Sequence, residues 1–367
     1  MSSIYIHIPF CQCRCSYCDF YSTTQLASRN EYVNALCHEL VQRKNDLPPT
    51  PIQTVYLGGG TPSVLTQKQL DRIFTTLGAH YNLSQLQECT IECNPDDINN
   101  AYLSDLKSFP INRISMGIQS FNDDELTLMN RRHTAKQAIQ AVHDIVNAGY
   151  SNCSIDLIYG LPQQSVETWD LNLKTALSLP IKHLSAYHLT YEKGTKMFGY
   201  QQQAVSEEDS CLMFETLHQR TQQAGMEAYE ISNFAYPGYR SNHNSRYWQN
   251  KPYLGIGAAA HSYNGINKRR WNVADLTKYI VGITQNNANF EEELLDNDDL
   301  YNELLLTSLR TKEGVNTALI PPQYQQHFAR QSKKYLDKGM LLLQDGWCQL
   351  TPKGIFISDG IICDLMV

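Results

Sequence analysis

"SIYIHIPFCQCRCSYCDF", residues 3–20, joins a short β-rich run to four cysteines packed into eight positions. The first seven residues read as a strand. Cys11, Cys13, Cys15 and Cys18 follow directly at its C-terminal end. In parallel α/β sheets chemistry collects at that end of the strands. The fold therefore turns on whether the rest of the chain supplies a parallel sheet.

The pattern predicts one. "IQTVYLGGG", "CTIECNP", "INRISMGIQ", "CSIDLIYG" and "HLSAYHLT" repeat the strand signature up to about residue 190. Segments of helical period separate them near 30–45, 67–77, 101–108, 122–129, 134–148 and 165–177. In the first, Val33, Leu36, Cys37, Leu40 and Val41 share a face; in the fifth, Ile139, Val142, Ile145 and Val146 form one stripe. Such alternation implies βαβ units with right-handed crossovers. About six units fit, short of the eight of a full barrel. The expected fold is α/β, a partial (β/α)6-type barrel over residues 1–205. An extension of mixed pattern with glycine- and aromatic-rich loops follows over 206–290. "DNDDL" at 296–300 then leads into a helix, and "KKYLDKGMLLLQDGWCQLTPKG" reads as helix, turn and hairpin. Residues 291–367 are thus expected to form a small α+β module of winged-helix type.

Composition bounds the function. The 367 residues are 42% apolar and 18% charged, with net charge −7, so no global field draws the chain to nucleic acid or an anionic membrane. The basic run "NKRR", 267–270, reads as a solvated loop. Neither a secretory signal nor a transmembrane stretch is visible, which predicts a reducing cytoplasm for the eleven cysteines. Seven of these, Cys37, Cys89, Cys93, Cys153, Cys211, Cys348 and Cys363, stand singly and read as small buried apolar residues.

Cys11, Cys15 and Cys18 form a C-x3-C-x2-C set, with Cys13 as an extra. That spacing favours an iron–sulfur cube. Structural zinc lacks a second ligand pair nearby, and a redox C-x-x-C remains the other alternative. A cube held by three thiolates leaves one iron open to a ligand. Several features fall with Cys11 at strand ends. "GGGTP", 58–62, is either a tight turn or a close backbone approach to a ligand. Glu92 is either a loop cap or an acceptor for two hydroxyls.

The motifs "YIHIPFC…C..C.F", "GGGTP", "NRISMGIQSF" and "IDLIYGLP" resemble those of the radical S-adenosylmethionine (SAM) superfamily. More narrowly, they resemble the family of oxygen-independent coproporphyrinogen III oxidase and its heme-chaperone branch. The resemblance implies a 4Fe–4S cluster on Cys11, Cys15 and Cys18, with SAM on the open iron and Cys13 a spectator. It implies that SAM is cleaved to a 5′-deoxyadenosyl radical by an electron from the reduced cluster, hence an electron donor. It also places Gly59, Gly60 and Thr61 at the methionine end of SAM and Glu92 at its ribose. Gln119, Arg131 and Asp156 match further SAM-binding positions, and Tyr5 matches a tyrosine near the cluster. Where the oxidase has another cysteine, this chain has Phe20. It also starts ten residues before Cys11, whereas the oxidase has a substantial segment there. "RRHT" with His133 resembles the chaperone branch as well. "HNSRYW", 243–248, matches a motif of that branch, in which His243 would ligate heme iron while Tyr247 and Trp248 pack on the macrocycle. His261 is a second ligand candidate. The resemblance thus implies heme uptake and transfer to an acceptor protein; the alternative is radical decarboxylation of coproporphyrinogen.

Overall fold

The computed structural model describes residues 2–367. Six strands, β1 (Ser2–Ile8), β2 (Ile52–Gly59), β3 (Glu88–Cys93), β4 (Arg113–Gln119), β5 (Asn152–Tyr159) and β6 (His183–His188), lie side by side in chain order, all parallel. Helices α1 (Arg29–Gln42), α2 (Gln67–His80), α3 (Asn100–Leu106), α4 (Asp123–Leu128), α5 (Ala135–Asn147) and α6 (Val166–Ser178) fill the crossovers. Their starts are local: Thr66 and Gln69 close a reciprocal capping box on α2, and Thr134 and Gln137 do the same on α5.

The strands alternate between two faces, with register shifts at Ser2/Ser3 and Gly117/Gln119. Ile4, Ile6 and Ile8 of β1 pack with Leu36 and Leu40 of α1 in the main core, each fully buried. Burial of each such side chain contributes about 1.5–3 kcal/mol. Ser3, Tyr5 and His7 occupy the other face, in line with Thr54 and Tyr56, Glu88, Thr90 and Glu92, Arg113 and Ser115, Ser154 and Asp156, and His183 and Ser185. Parallel strands usually run as near-continuous apolar stretches. Here the inner face is polar.

Among the described residues no ladder joins β6 back to β1, so the sheet stays open. After α7 (Glu207–Gln223), β8 (Asn233–Ala235) adds antiparallel to β6, and β7 (Glu227–Ala228) pairs antiparallel with β8 at the edge. The short helix α8 (Asn242–Trp248) then enters the concave side, and β9 (Tyr253–Ile256) joins β1 in parallel. Beyond it lie β10 (His261–Tyr263), β11 (Lys268–Asn272), the helix α9 (Leu276–Thr284) and β12 (Phe290–Leu294), giving twelve strands in one sheet.

Residues 206–290 therefore contribute strands where the sequence pattern suggested mostly loops. "NKRR" is likewise no solvated loop. It lies largely in β11, paired with the acidic β12 so that Arg269 faces Glu293 and Arg270 faces Glu292. The expected break at 291 falls inside β12. Val41 also departs from expectation: at 37% exposure it sits outside the buried stripe of α1. Of the seven single cysteines, Cys211 is half-buried and Cys363 exposed.

The C-terminal module has its own core around Tyr301, Leu305, Phe328, Leu341 and Cys348. Its order is α10 (Asn297–Ser308), β13 (Val315–Asn316), α11 (Pro322–Asp337), β14 (Leu341–Gln344), β15 (Trp347–Leu350), α12 (Pro352–Ile355) and α13 (Ser358–Leu365). β13 and β14 flank β15 in a small antiparallel sheet; the expected helices and hairpin are present, and the strand β13 and the helices α12 and α13 come in addition. No helix among the described residues is long and apolar enough to cross a membrane.

One buried carboxylate stitches the β9–β12 extension to the parallel sheet. Glu39 of α1 is fully buried and accepts from Arg43 Nη1 at 2.9 Å, the Gly257 amide at 2.8 Å, Asn272 Nδ2 at 2.7 Å and the Tyr279 hydroxyl at 2.7 Å. Removing one member of a buried ion pair costs about 3–5 kcal/mol, because its partner stays desolvated. Glu39→Ala is therefore expected to lower unfolding stability by about 3–5 kcal/mol in urea titrations. Asp46→Ala, which removes the half-exposed second partner of Arg43, should cost about 1 kcal/mol or less.

Candidate functional site

The C-terminal ends of β1–β6 converge on a cleft of about 520 Å³. Cys11, Cys13, Cys15 and Cys18 line one wall, and Gly59, Gly60, Thr61, Glu92, Gln119, Arg131 and Asp156 line the rest. Every residue singled out in the sequence for cluster or SAM binding reaches this cleft, with one exception. Tyr5 lies deeper in the inner face, where its hydroxyl is 3.0 Å from His7 Nδ1.

The cysteine loop is clamped rather than free. The Cys11 amide donates to Thr23 O at 2.9 Å, and the Ser16 hydroxyl donates to Leu128 O at 2.7 Å. Asn130 Nδ2 donates to Arg14 O at 2.7 Å. Burial pushes the Cys11 and Cys18 thiols up, Cys18 to about 11, so a thiolate here needs a metal partner. Among the described residues no three Cys, His, Asp or Glu side chains converge on a point that one ion could occupy. A cube binds each thiolate through a different iron and needs no common point. Cys11, Cys15 and Cys18 around one cleft are a donor set that a cube could take up.

The glycine loop approaches protein as closely as it would a ligand. A Cβ on Gly60 would lie 2.7 Å from the Pro9 carbonyl carbon, and Gly59 adopts φ +111°. Gly60 N donates to Ile8 O at 2.8 Å and Gly59 N to Glu92 Oε2 at 3.0 Å, so these two amides already have partners. Glu92 also accepts from the Tyr56 hydroxyl at 2.7 Å. Burial raises the Glu92 carboxyl to about 7; Asp156 adds to the rise, while Tyr56, the Gly59 amide and Arg113 oppose it. Arg131 Nη1 donates to Cys15 Sγ at 3.2 Å, and Nη2 donates to Asn94 Oδ1 at 2.8 Å.

Sequence reasoning missed Asn94, which links Thr61 (3.2 Å) to Arg131. It follows Glu92 by two residues in "IECNP", so the strand-end rule alone could have flagged it. His188 at the end of β6 also lines the cleft and was equally open to that rule.

His243 does not fit the heme-ligand expectation. It is 1% exposed, on the inner face of the sheet. Its Nδ1 is 2.8 Å from Thr54 Oγ1 and its Nε2 is 2.9 Å from the Tyr247 hydroxyl, which leaves neither ring nitrogen for iron. Burial lowers its pKa to about 3, with Arg246 and Arg113 adding to the effect. Glu88 of β3 fixes the start of α8 by accepting from the Asn242 and His243 amides at 2.8 and 3.0 Å. The imidazole packs at 5.0 Å between centroids against Tyr56, the residue that orients Glu92. "HNSRYW" is thus a plug beneath the cleft. His261, the second candidate, is exposed on β10 and stacks on Trp271 at 5.7 Å.

Comparison with known proteins agrees with this geometry. Residues 5–175 match the Radical SAM superfamily and residues 295–357 the HemN C-terminal domain. The chain is similar to heme chaperone HemW of Lactococcus lactis, with 32% identity over 98% of this chain and 96% of the relative. Heme chaperone HemW of Bacillus subtilis is likewise 32% identical, over 98% of both chains. Among solved structures, the radical SAM enzyme coproporphyrinogen III oxidase (HemN) of Escherichia coli superposes with TM-score 0.86 over 100% of this chain and 90% of its own, at 23% identity, which speaks for the fold. With a clamped cysteine loop, a glycine turn and polar strand ends around one cleft, and with these relatives along almost its whole length, the chain belongs to the HemW family of heme chaperones within the radical SAM superfamily.

Proposed function

We propose that this chain takes up heme in the cytoplasm and passes it to an acceptor protein, carrying a 4Fe–4S cluster on Cys11, Cys15 and Cys18 with SAM at the remaining iron. The observation that carries the heme reading is 32% identity, end to end, with a relative named a heme chaperone. When bound, the cluster supplies one open coordination position and a low-potential electron delivered by a donor.

The chain's own residues do the rest. Gly59, Gly60 and Thr61 shape the wall for the methionine end of SAM, and Asn94 ties Thr61 to Arg131. Arg131 sits against Cys15 and places a fixed positive charge beside the cluster thiols. Glu92, held by Tyr56 and the Gly59 amide, accepts the ribose hydroxyls. Gln119 and Asp156 close the far wall, and Tyr5 supports the site from below through His7. Cys13, whose thiol lies 3.7 Å from Asn130 O, takes no cluster corner.

The second reading, decarboxylation of coproporphyrinogen, has the shared fold behind it but lacks a cysteine at Phe20, a residue 68% exposed at the mouth of the cleft. Mass spectrometry after anaerobic incubation with SAM, reductant and coproporphyrinogen III is expected to show no decarboxylated product. Its appearance would reverse the ranking of the two readings.

The Glu92 assignment predicts a pH dependence. Below pH 7 the carboxyl is protonated and cannot accept both ribose hydroxyls; above it, it can. Binding of 5′-methylthioadenosine, which has the ribose but no amino acid, should therefore strengthen as pH rises through about 7. Tyr56→Phe removes a hydrogen bond that favours the ionised form, so the midpoint should move upward. Glu92→Gln should flatten the profile, as read by isothermal titration calorimetry.

A further inference from the structure

His243 offers iron no nitrogen, which leaves the place of the heme open. The other buried imidazoles narrow the choice. In His7 and His183 both ring nitrogens are also engaged, and His188 contacts Leu189 O and the Ser210 hydroxyl. Among the described residues, only His133 Nδ1 and His218 Nε2 are buried imidazole nitrogens without a partner. His133 faces Ile118 O with its other nitrogen and borders no cavity described above. His218 borders a cleft of about 900 Å³, larger than the one at the cysteines.

We infer that heme is held in this cleft, between α7 and the C-terminal module, with His218 as its iron ligand. This rests on the heme-carrier reading and adds the site. Phe214, Met226, Ile231, Leu350, Ile355 and Phe356 give the cleft apolar walls suited to a flat macrocycle. Its volume lies within the ~300–1,000 Å³ usual for small-molecule sites, which favour junctions between units. Lys353 lies on its border, where a propionate would meet positive charge; Lys312 is paired there with Glu227, and Glu215 and Glu230 also line the cleft. Burial lowers the His218 pKa to about 4, so at neutral pH the imidazole is uncharged and carries a lone pair for iron.

The surroundings of His218 add a requirement. The Phe214 ring lies 4.3 Å from the imidazole between centroids, and Phe234 packs edge-on at 5.2 Å from it. Phe234 is fully buried, whereas Phe214 is half-buried on the cleft wall, so heme entry turns Phe214 aside. The two walls belong to separate cores. They are joined by partly exposed ion pairs, Arg240 with Glu313 at 2.7 Å and Lys312 with Glu227. Backbone bonds from Ile231 N to Arg310 O at 3.2 Å and from Lys312 N to Tyr229 O at 3.0 Å also join them, and the Phe214 and Phe356 rings meet at 5.8 Å between centroids. Exposed pairs hold weakly. A seam of this kind can part for loading and release, as a carrier needs.

The test is a difference Soret titration of the anaerobically reconstituted full-length protein with hemin, comparing wild type, His218→Ala, His218→Gln and His261→Ala. His218→Gln retains a polar side chain of similar size, so its effect reports ligation even if the alanine variant folds poorly. The inference expects at least about tenfold weaker binding in both His218 variants, wild-type affinity in His261→Ala, and partial recovery of hemin binding when free imidazole is added to His218→Ala. Saturable wild-type binding that both His218 substitutions leave unchanged would overturn the site and leave the carrier reading standing. No saturable binding by the wild type would overturn the carrier reading, and the site with it.

Discussion

A polar face buried inside a sheet must be satisfied by protein, and this constraint shapes the whole molecule. Strands β1–β6 send their isoleucines, leucines and cysteines outward to the helices and turn histidine, tyrosine, glutamate and arginine inward. An unpaired buried polar group costs about 1–3 kcal/mol, and more when charged. The short helix α8 meets much of that cost. Its first amides bind Glu88, its imidazole binds Thr54, and its rings pack beneath Tyr56. Arg113, 1% exposed, lies among them: Glu88 and Asp156 favour its charge against the pull of burial, while its Nε and Nη1 find no hydrogen-bond partner. The upper layer of the same face, Glu92 and Asp156, opens into the cysteine cleft. The floor of the site and the core of the sheet are one network.

What the sequence revealed was what neighbouring residues decide. Strand alternation and helix period are local, so the expected helices at 134–148 and 165–177 appear as Ala135–Asn147 and Val166–Ser178. Strand-end chemistry was legible for the same reason: "FC", "GGGTP" and "IEC" each follow an unmistakable strand. The errors lie where a partner is far away in the chain. His243 looked free because Thr54, 189 residues earlier, cannot be seen beside it. "NKRR" looked solvated because its acidic partner strand follows a helix. His218 drew no attention at all, since nothing in "ETLHQR" marks an imidazole without a partner.

The molecule carries two clefts with no lining residue in common. The cysteine cleft lies at the C-terminal ends of the parallel strands, where clamped thiols and an ordered carboxylate suit a redox cofactor. The larger apolar cleft lies at the seam with the C-terminal module, where partly exposed ion pairs and two backbone hydrogen bonds join the walls.

The central claim is that three thiols leave one iron open to SAM, with Cys13 aside. Electron–nuclear double resonance of the reduced, reconstituted protein with SAM labelled at its amino nitrogen addresses it directly. The account predicts a coupling between the cluster spin and that nitrogen. A cluster signal that SAM does not change, and that alters when Cys13 is replaced by serine, would show four protein ligands and contradict it.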